Sequence, residues 1–195
     1  KGLTRPDAVV VVPVGAGPAA AAAGAARVIA LSEAAGCPFA AVISAGVAGG
    51  FAGRTEVGAT VLGLRSVAAD LGAESPGGFL PIDDLGFGTG VETPDPELRW
   101  RLADALPDAR TGDILTVSTV TGTAATAARL AEAHPFAVAE AMEGHGVAVA
   151  AAAAGLPFAE LRTISNLIGP RDRDAWRMTD ALTALTRSAA AIHTV

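Results

Sequence analysis

The 195 residues predict an α/β fold, with a mostly parallel central sheet and helices on both faces. Three observations carry that expectation. Apolar runs such as "AVVVVPVG" (8–15) and "FAAVIS" (39–44) have the unbroken hydrophobicity of strands covered on both faces. Stretches of helical length, rich in alanine, alternate with them. Alanine, glycine and valine dominate, and aromatics make up only 4 %, which favours helices packed closely on a sheet over a bulky aromatic core. No repeat or linker divides the chain, so residues 1–195 are expected to form one domain of ordinary size.

The elements follow in order. After the strand at 8–15, Pro18 stands where a first helical residue is well tolerated, and the alanine-rich stretch behind it reads as a helix closed by Gly36. "FAAVIS" is the second buried strand and runs into a glycine loop, "SAGVAGGF" (44–51). "ATVLGLRSVA" (59–68) is the third strand. Residues 70–92 are turn-forming and acidic, and read as a long loop with a task. A helix at 95–106, a strand at 112–120 and a helix at 124–133 come next. "FAVAEAM" (136–142) is then a strand, "EGHGVAVAAAAAG" (143–155) a helix and "FAELRTIS" (158–165) a strand, and a last helix runs from about Asp174 to His193.

Composition excludes several classes of function. A net charge of −6 offers no electrostatic footprint for nucleic acid or anionic lipid. The single cysteine, Cys37, rules out an internal disulfide and any multi-cysteine metal site, and reads as a small buried hydrophobe. His134 and His193 have no ligand partner at useful spacing, so no metal is expected. The longest charge-free apolar stretch, 144–157, is too short to cross a bilayer, and "KGLTRPD" is not a secretory signal, so a cytoplasmic protein is expected. "PVGAGPAAAA" has the Gly15-x-Gly17 of a dinucleotide turn but no acid at the end of the next strand. It reads as a tight turn, and no cofactor is expected.

Polar residues in apolar surroundings mark the candidate site. Glu143 stands between Met142 and Gly144 where a buried strand enters an alanine-rich helix, and a carboxylate there needs a partner. Alternation places Glu160, Arg162, Ile164 and Asn166 on one face of a regular strand, and an arginine in such a strand needs a carboxylate or a ligand. Ligands of open parallel sheets gather at the carboxyl ends of strands. One crossover therefore delivers Glu143 and Asn166 to the same rim, with Arg162 deeper. "SAGVAGGF" is either a loop that lets backbone amides approach a ligand or a plain turn with positive φ. His145 reads as a helix-start residue facing solvent or backbone. "GPRDRDAW" (169–176) is a solvated turn or a lid.

"SAGVAGGF", "AEAMEGHGVA" and "LRTISNLIG", in this order and spacing, resemble the nucleoside phosphorylase and nucleosidase superfamily. Within it the segments "ADLGAES", "LGFG", "EGHGVA" and "RDRDAW" are more similar to the futalosine hydrolases. The likeness runs from about Val9 to the C-terminus. It implies a nucleoside phosphorylase-like domain that starts after the family's first strand, so that the water-activating acid is expected either in a preceding segment or from elsewhere in the protein. It also implies that Glu143 binds the ribose hydroxyls, Met142 packs on the sugar, and Arg162 helps place the attacking water. Val47, Ala48 and Gly49, with Val120 and Thr121, would line the base pocket, and Ser165 would join the substrate-binding set. Asn166 stands where adenine-specific relatives carry an aspartate. A neutral amide offers both a donor and an acceptor, which suits a 6-oxopurine better than adenine. The implied function is hydrolysis of futalosine to hypoxanthine and dehypoxanthinyl futalosine in menaquinone biosynthesis, by a homo-oligomer. The alternatives are a purine nucleoside phosphorylase and a non-catalytic nucleoside-binding protein. Val42, Ile43 and Ser44 stand where phosphorylases carry a phosphate-holding arginine, which disfavours the first of these. Arg65, Arg171 and Arg173 are candidates to bind the acidic end of the substrate.

Overall fold

The computed structural model describes residues 9–193. Helix α1 (Pro18–Ala34) opens at Pro18, whose missing N–H would have no partner in a first turn anyway. Strands β1 (Val42–Gly50) and β2 (Thr60–Ala68) follow. Next come a hairpin of β3 (Gly72–Ser75) and β4 (Gly78–Pro81), a helical turn α2 (Ile82–Leu85) and the short strand β5 (Val91–Glu92). Helix α3 (Pro96–Ala105) is capped by Asp95, whose side chain accepts from Leu98 N–H. Strand β6 (Arg110–Thr116) leads to α4 (Ala124–Ala133), capped in the same way by Thr123. Strand β7 (Ala137–Ala141), helix α5 (Gly144–Ala153), strand β8 (Phe158–Leu167) and helix α6 (Met178–Ile192) complete the order.

The main sheet has the order β5-β2-β6-β7-β1-β8, and β8 also pairs with β2, so five strands close into a ring. The long pairings, β1 with β8, β2 with β6 and β6 with β7, are parallel. The antiparallel pairings are short. Ala48, Val61, Ile114, Val138, Ala139, Ala141 and Ile164, drawn from all five strands, form one buried cluster that fills the ring. Outside it, α1 packs on α5 through Ala21, Ala25, Ile29, Val147, Ala148 and Ala151. The approach is close: a Cβ on Gly146 would lie 2.2 Å from the Pro18 carbonyl oxygen. Two helices this near each other explain why both are built largely of alanine and glycine.

Several elements differ from expectation. Residues 9–15 are not a strand, and Val11 is 88 % exposed. β-Branched composition raises strand propensity, but no strand edge among the described residues takes this segment up, and Pro13 lacks a donor. The expected glycine loop is instead most of β1, seven of its nine residues. Its glycines are needed for space: a Cβ on Gly50 would meet Thr55 at 2.5 Å, and one on Gly49 would meet Ile168 at 2.6 Å. The long loop contains the hairpin and β5. β6 ends at Thr116, which leaves Val120 and Thr121 in the connection to α4. The last helix begins at Met178 rather than near Asp174.

Candidate active site

Glu143 directly follows β7 at the mouth of α5, and its side chain is 23 % exposed. Three donors face its carboxylate: Gly17 N–H at 3.4 Å, Met142 N–H at 3.3 Å and Arg162 Nη1 at 3.4 Å. All three are long for hydrogen bonds to an ionised acceptor. The carboxylate is therefore located by the protein but left able to take stronger donors from the cleft.

Arg162 lies deeper and is buried. Its Nε donates to Glu160 Oε1 at 2.9 Å and its Nη2 to Ser44 Oγ at 3.0 Å. Burial pushes the Glu160 carboxyl up, and the Arg162 charge opposes that rise. Two glycines make room for the pair. A Cβ on Gly144 would lie 2.0 Å from Glu160 Oε1, and one on Gly46 would lie 2.7 Å from Arg162 Nη1. The carboxylate that an arginine in this strand demands is thus chiefly Glu160, two residues away on the same face, with Glu143 a more distant second.

The register of β1 on β8 shifts between Ala48 and Gly49: Ala48 faces Ile164, Gly49 faces Asn166, and Ser165 has no partner. Strand alternation therefore does not run unbroken to Asn166, as a regular strand would require. The irregularity has a use. Ser165 Oγ donates to Asn166 Oδ1 at 2.8 Å, sharing its proton with the Ala48 carbonyl at 3.3 Å. Asn166 Nδ2 donates to the Leu167 carbonyl at 3.0 Å. With its oxygen held by Ser165, the amide has one N–H left to offer the cleft.

The β6–α4 connection closes the other side. Thr121 N–H donates to Glu140 Oε1 at 2.8 Å, and the Thr121 hydroxyl donates to Glu140 Oε2. Burial pushes the Glu140 carboxyl up and the two bonds from Thr121 pull it back. Ser118 N–H is bound by Asp70, and Arg171 N–H reaches the Gly122 carbonyl at 3.2 Å. Arg171 and Arg173 lie over the Trp176 ring, at 5.8 and 6.0 Å from its centroid.

All ten residues expected in the site line one cleft. Ala48 contributes backbone, since its side chain belongs to the ring interior. The cleft, 2010 Å³, exceeds the few hundred to about 1,000 Å³ of a usual small-molecule site. It does so because it continues past Phe39 and Val42 to the exposed valines 9–12. Arg171 and Trp176 line it. Arg65 does not, being paired with Asp113 in the middle of β6. Of the two places expected for His145, solvent and backbone, the second holds: it is buried, its ring is hydrogen-bonded to the Thr89 backbone, its backbone N–H donates to Thr116 Oγ1 at 2.9 Å, and its Nε2 has no partner. Burial lowers its pKa, against the opposing pull of Glu92, Thr89 and Asp83. No cluster of three metal-ligating side chains occurs among the described residues, and no helix there is long and apolar enough to cross a membrane. The sequence reading gave Gly17, Ser44 and Gly144 no place in the site and passed over Glu140. For Glu140 the signal was present, as an acid in the apolar run "AVAEA".

The model of the phosphorylase superfamily matches residues 4–195. The chain belongs to that superfamily. A futalosine hydrolase of Streptomyces coelicolor is 54 % identical over 181 residues, which span 93 % of this chain and 77 % of that relative. Among solved structures, a 5'-methylthioadenosine/S-adenosylhomocysteine nucleosidase of Colwellia psychrerythraea, in complex with adenine, superposes with a TM-score of 0.81. It is 23 % identical, with 95 % of this chain and 77 % of that one covered. The futalosine hydrolase of Helicobacter pylori superposes at 0.76, at 18 % identity, with 93 % and 78 % covered. At such identities the two structures speak for the fold of this superfamily member.

Proposed function

We propose that this member of the superfamily hydrolyses the N-glycosidic bond of a 6-oxopurine nucleoside, futalosine, to hypoxanthine and dehypoxanthinyl futalosine on the route to menaquinone. One observation carries the reading: a loosely held carboxylate, Glu143, and an oriented neutral carboxamide, Asn166, line the same cleft at the ends of β7 and β8. The 54 % identity to a futalosine hydrolase supports the choice of substrate.

Glu143 accepts from the ribose 2'- and 3'-hydroxyls, and its charge favours the cationic sugar of the transition state. Met142 packs on the sugar. Arg162 has five N–H donors, of which three are committed to Glu160, Ser44 and Glu143. The remaining two can place the attacking water. Asn166, oriented by Ser165, donates to N7 or O6 of the base as negative charge develops there. It stabilises the departing purine without transferring a proton. Val47, Gly49, Val120 and Thr121 wall the base pocket, with the Ala48 backbone behind. Arg171 beside Trp176 suits an acidic aromatic group at the far end of the substrate. The protein acts in the cytoplasm as a homo-oligomer.

Hydrolysis is favoured over phosphorolysis because β1 carries Val42, Ile43 and Ser44 where an arginine would be needed, and Ser44 is engaged with Arg162. Chromatographic detection of free base from futalosine, inosine and methylthioadenosine, with and without phosphate, tests the reading. Hypoxanthine is expected from futalosine at a rate that phosphate leaves unchanged. A requirement for phosphate, or adenine as the preferred product, would contradict it.

A further inference from the structure

Glu140 has no part in the chemistry above, yet its placement is costly. It is 5 % exposed, and its two oxygens are spent on a single residue, Thr121. Anchoring the β6–α4 connection does not require it. Ser118 N–H is already held by Asp70 at 2.6 Å, and the Gly122 carbonyl by Arg171 N–H. Burying a carboxylate merely to duplicate those anchors would be a poor use of desolvation.

The strand register indicates what it accomplishes. Gly49 of β1 is the cross-strand neighbour of Asn166 on one side and of Glu140 on the other. Asn166, Gly49 and Glu140 thus form a row across the rim. Its ends are two strand spacings apart, roughly 10 Å, which admits a flat bicyclic base between them. At one end of the row Asn166 offers an N–H, because Ser165 holds its oxygen. At the other end the Thr121 hydroxyl has a single proton, and a carboxylate can only accept. That proton goes to Glu140, and the lone pairs of Thr121 Oγ1 are left for the cleft that Thr121 lines.

We propose that Glu140 is a positioning residue that sets base specificity: by taking both protons of Thr121 it fixes that hydroxyl as an acceptor opposite the Asn166 donor. The pair then selects purines with a ring N–H next to a carbonyl. Hypoxanthine presents N1–H beside O6 and matches. Adenine presents a bare N1 beside an amino group and meets acceptor with acceptor and donor with donor. The proposal rests on the nucleosidase reading of this cleft and deepens it.

Titration calorimetry with the free bases hypoxanthine and adenine tests it without turnover. Wild-type protein should prefer hypoxanthine. In Glu140→Gln, the amide oxygen can keep Thr121 N–H only if the amide N–H₂ donates to the hydroxyl oxygen, which turns the hydroxyl proton into the cleft. The hypoxanthine-to-adenine affinity ratio should then fall by about tenfold or more. Thr121→Val should lose the preference to a similar degree, and Thr121→Ser, which keeps the hydroxyl, should retain it. Should Glu140→Gln fail to fold, the two Thr121 variants decide the matter. A wild type without preference, a Glu140→Gln protein that weakens on both bases equally, or a Thr121→Val protein with the wild-type ratio would overturn the proposal. Failure to release hypoxanthine from futalosine, with the base preference intact, would instead overturn the hydrolase assignment.

Discussion

Arg162 and Asn166 show how much of this site is spent on orienting polar groups. Arg162 sits between Glu160 at 2.9 Å, Ser44 at 3.0 Å and Glu143 at 3.4 Å. Removing one partner of a buried pair leaves an uncompensated charge, typically at a cost of about 3–5 kcal/mol. Glu160→Ala should therefore lower unfolding free energy in urea by that amount; a loss under 1 kcal/mol would show that the pair is not needed in the core. Asn166 is held by Ser165 at 2.8 Å and so presents a donor. Loss of one donor aimed at developing charge costs about 2.7–4 kcal/mol of barrier. Asn166→Ala should reduce kcat on futalosine by roughly 10²–10³ with little change in stability. Ser165→Ala should fall between it and wild type. Full activity in Asn166→Ala would remove the amide from the mechanism.

Among elements, β7–α5–β8 matters most, because this crossover carries Glu140, Glu143, Arg162 and Asn166 to one rim. Gly144, the first residue of α5, is the contact on which it turns, since a Cβ there would fall 2.0 Å from Glu160 Oε1 and 2.3 Å from Oε2. Gly144→Ala should displace Glu160, and Arg162 with it. Overpacking of this kind costs about 1–3 kcal/mol, and kcat should fall more than tenfold. An unchanged melting temperature and rate would mean that the helix start shifts freely. This crossover was also the most legible part of the sequence. The expected bounds of strand, helix and strand lie within two residues of those found, because apolar runs punctuated by glycine and proline leave few alternatives. β1 was half legible: its glycines argue against a strand when read locally, and only the crowding by Thr55, Ile164 and Ile168 requires them. The 9–15 segment misled in the opposite sense, because propensity cannot say whether a sheet edge is available. Glu143 and Asn166 stood out as polar residues in apolar surroundings. Glu140 carried the same signal, an acid in the apolar run "AVAEA", but its pairing with Thr121, 19 residues earlier, exists only in three dimensions.

At the scale of the whole molecule, buried titratable groups couple stability to pH. Burial lowers the pKa of both His134 and His145 from 6.5, so folding favours their neutral forms. Their contribution is complete above pH 6.5 and is lost as pH falls from there through the lowered values, because the unfolded chain binds protons first. Glu140 and Glu160, raised from 4.5, act in the opposite sense, and their cost lifts as pH falls through their raised values. The histidine contribution is therefore the difference between wild type and His134→Gln/His145→Gln. The wild type should lose more stability on acidification than the double variant, seen as a larger fall in melting temperature between neutral and acidic pH. Parallel profiles would contradict it. The ring of strands and its β7–α5–β8 crossover serve one claim, that an acidic sugar clamp and an oriented carboxamide grip the same purine riboside. The most direct test is a crystal structure with a non-hydrolysable 6-oxopurine nucleoside. Glu143 should lie within hydrogen-bond distance of both ribose hydroxyls, and Asn166 Nδ2 within that distance of N7 or O6 of the same molecule. A nucleoside touching only one of the two side chains, or bound away from this rim, would contradict the account.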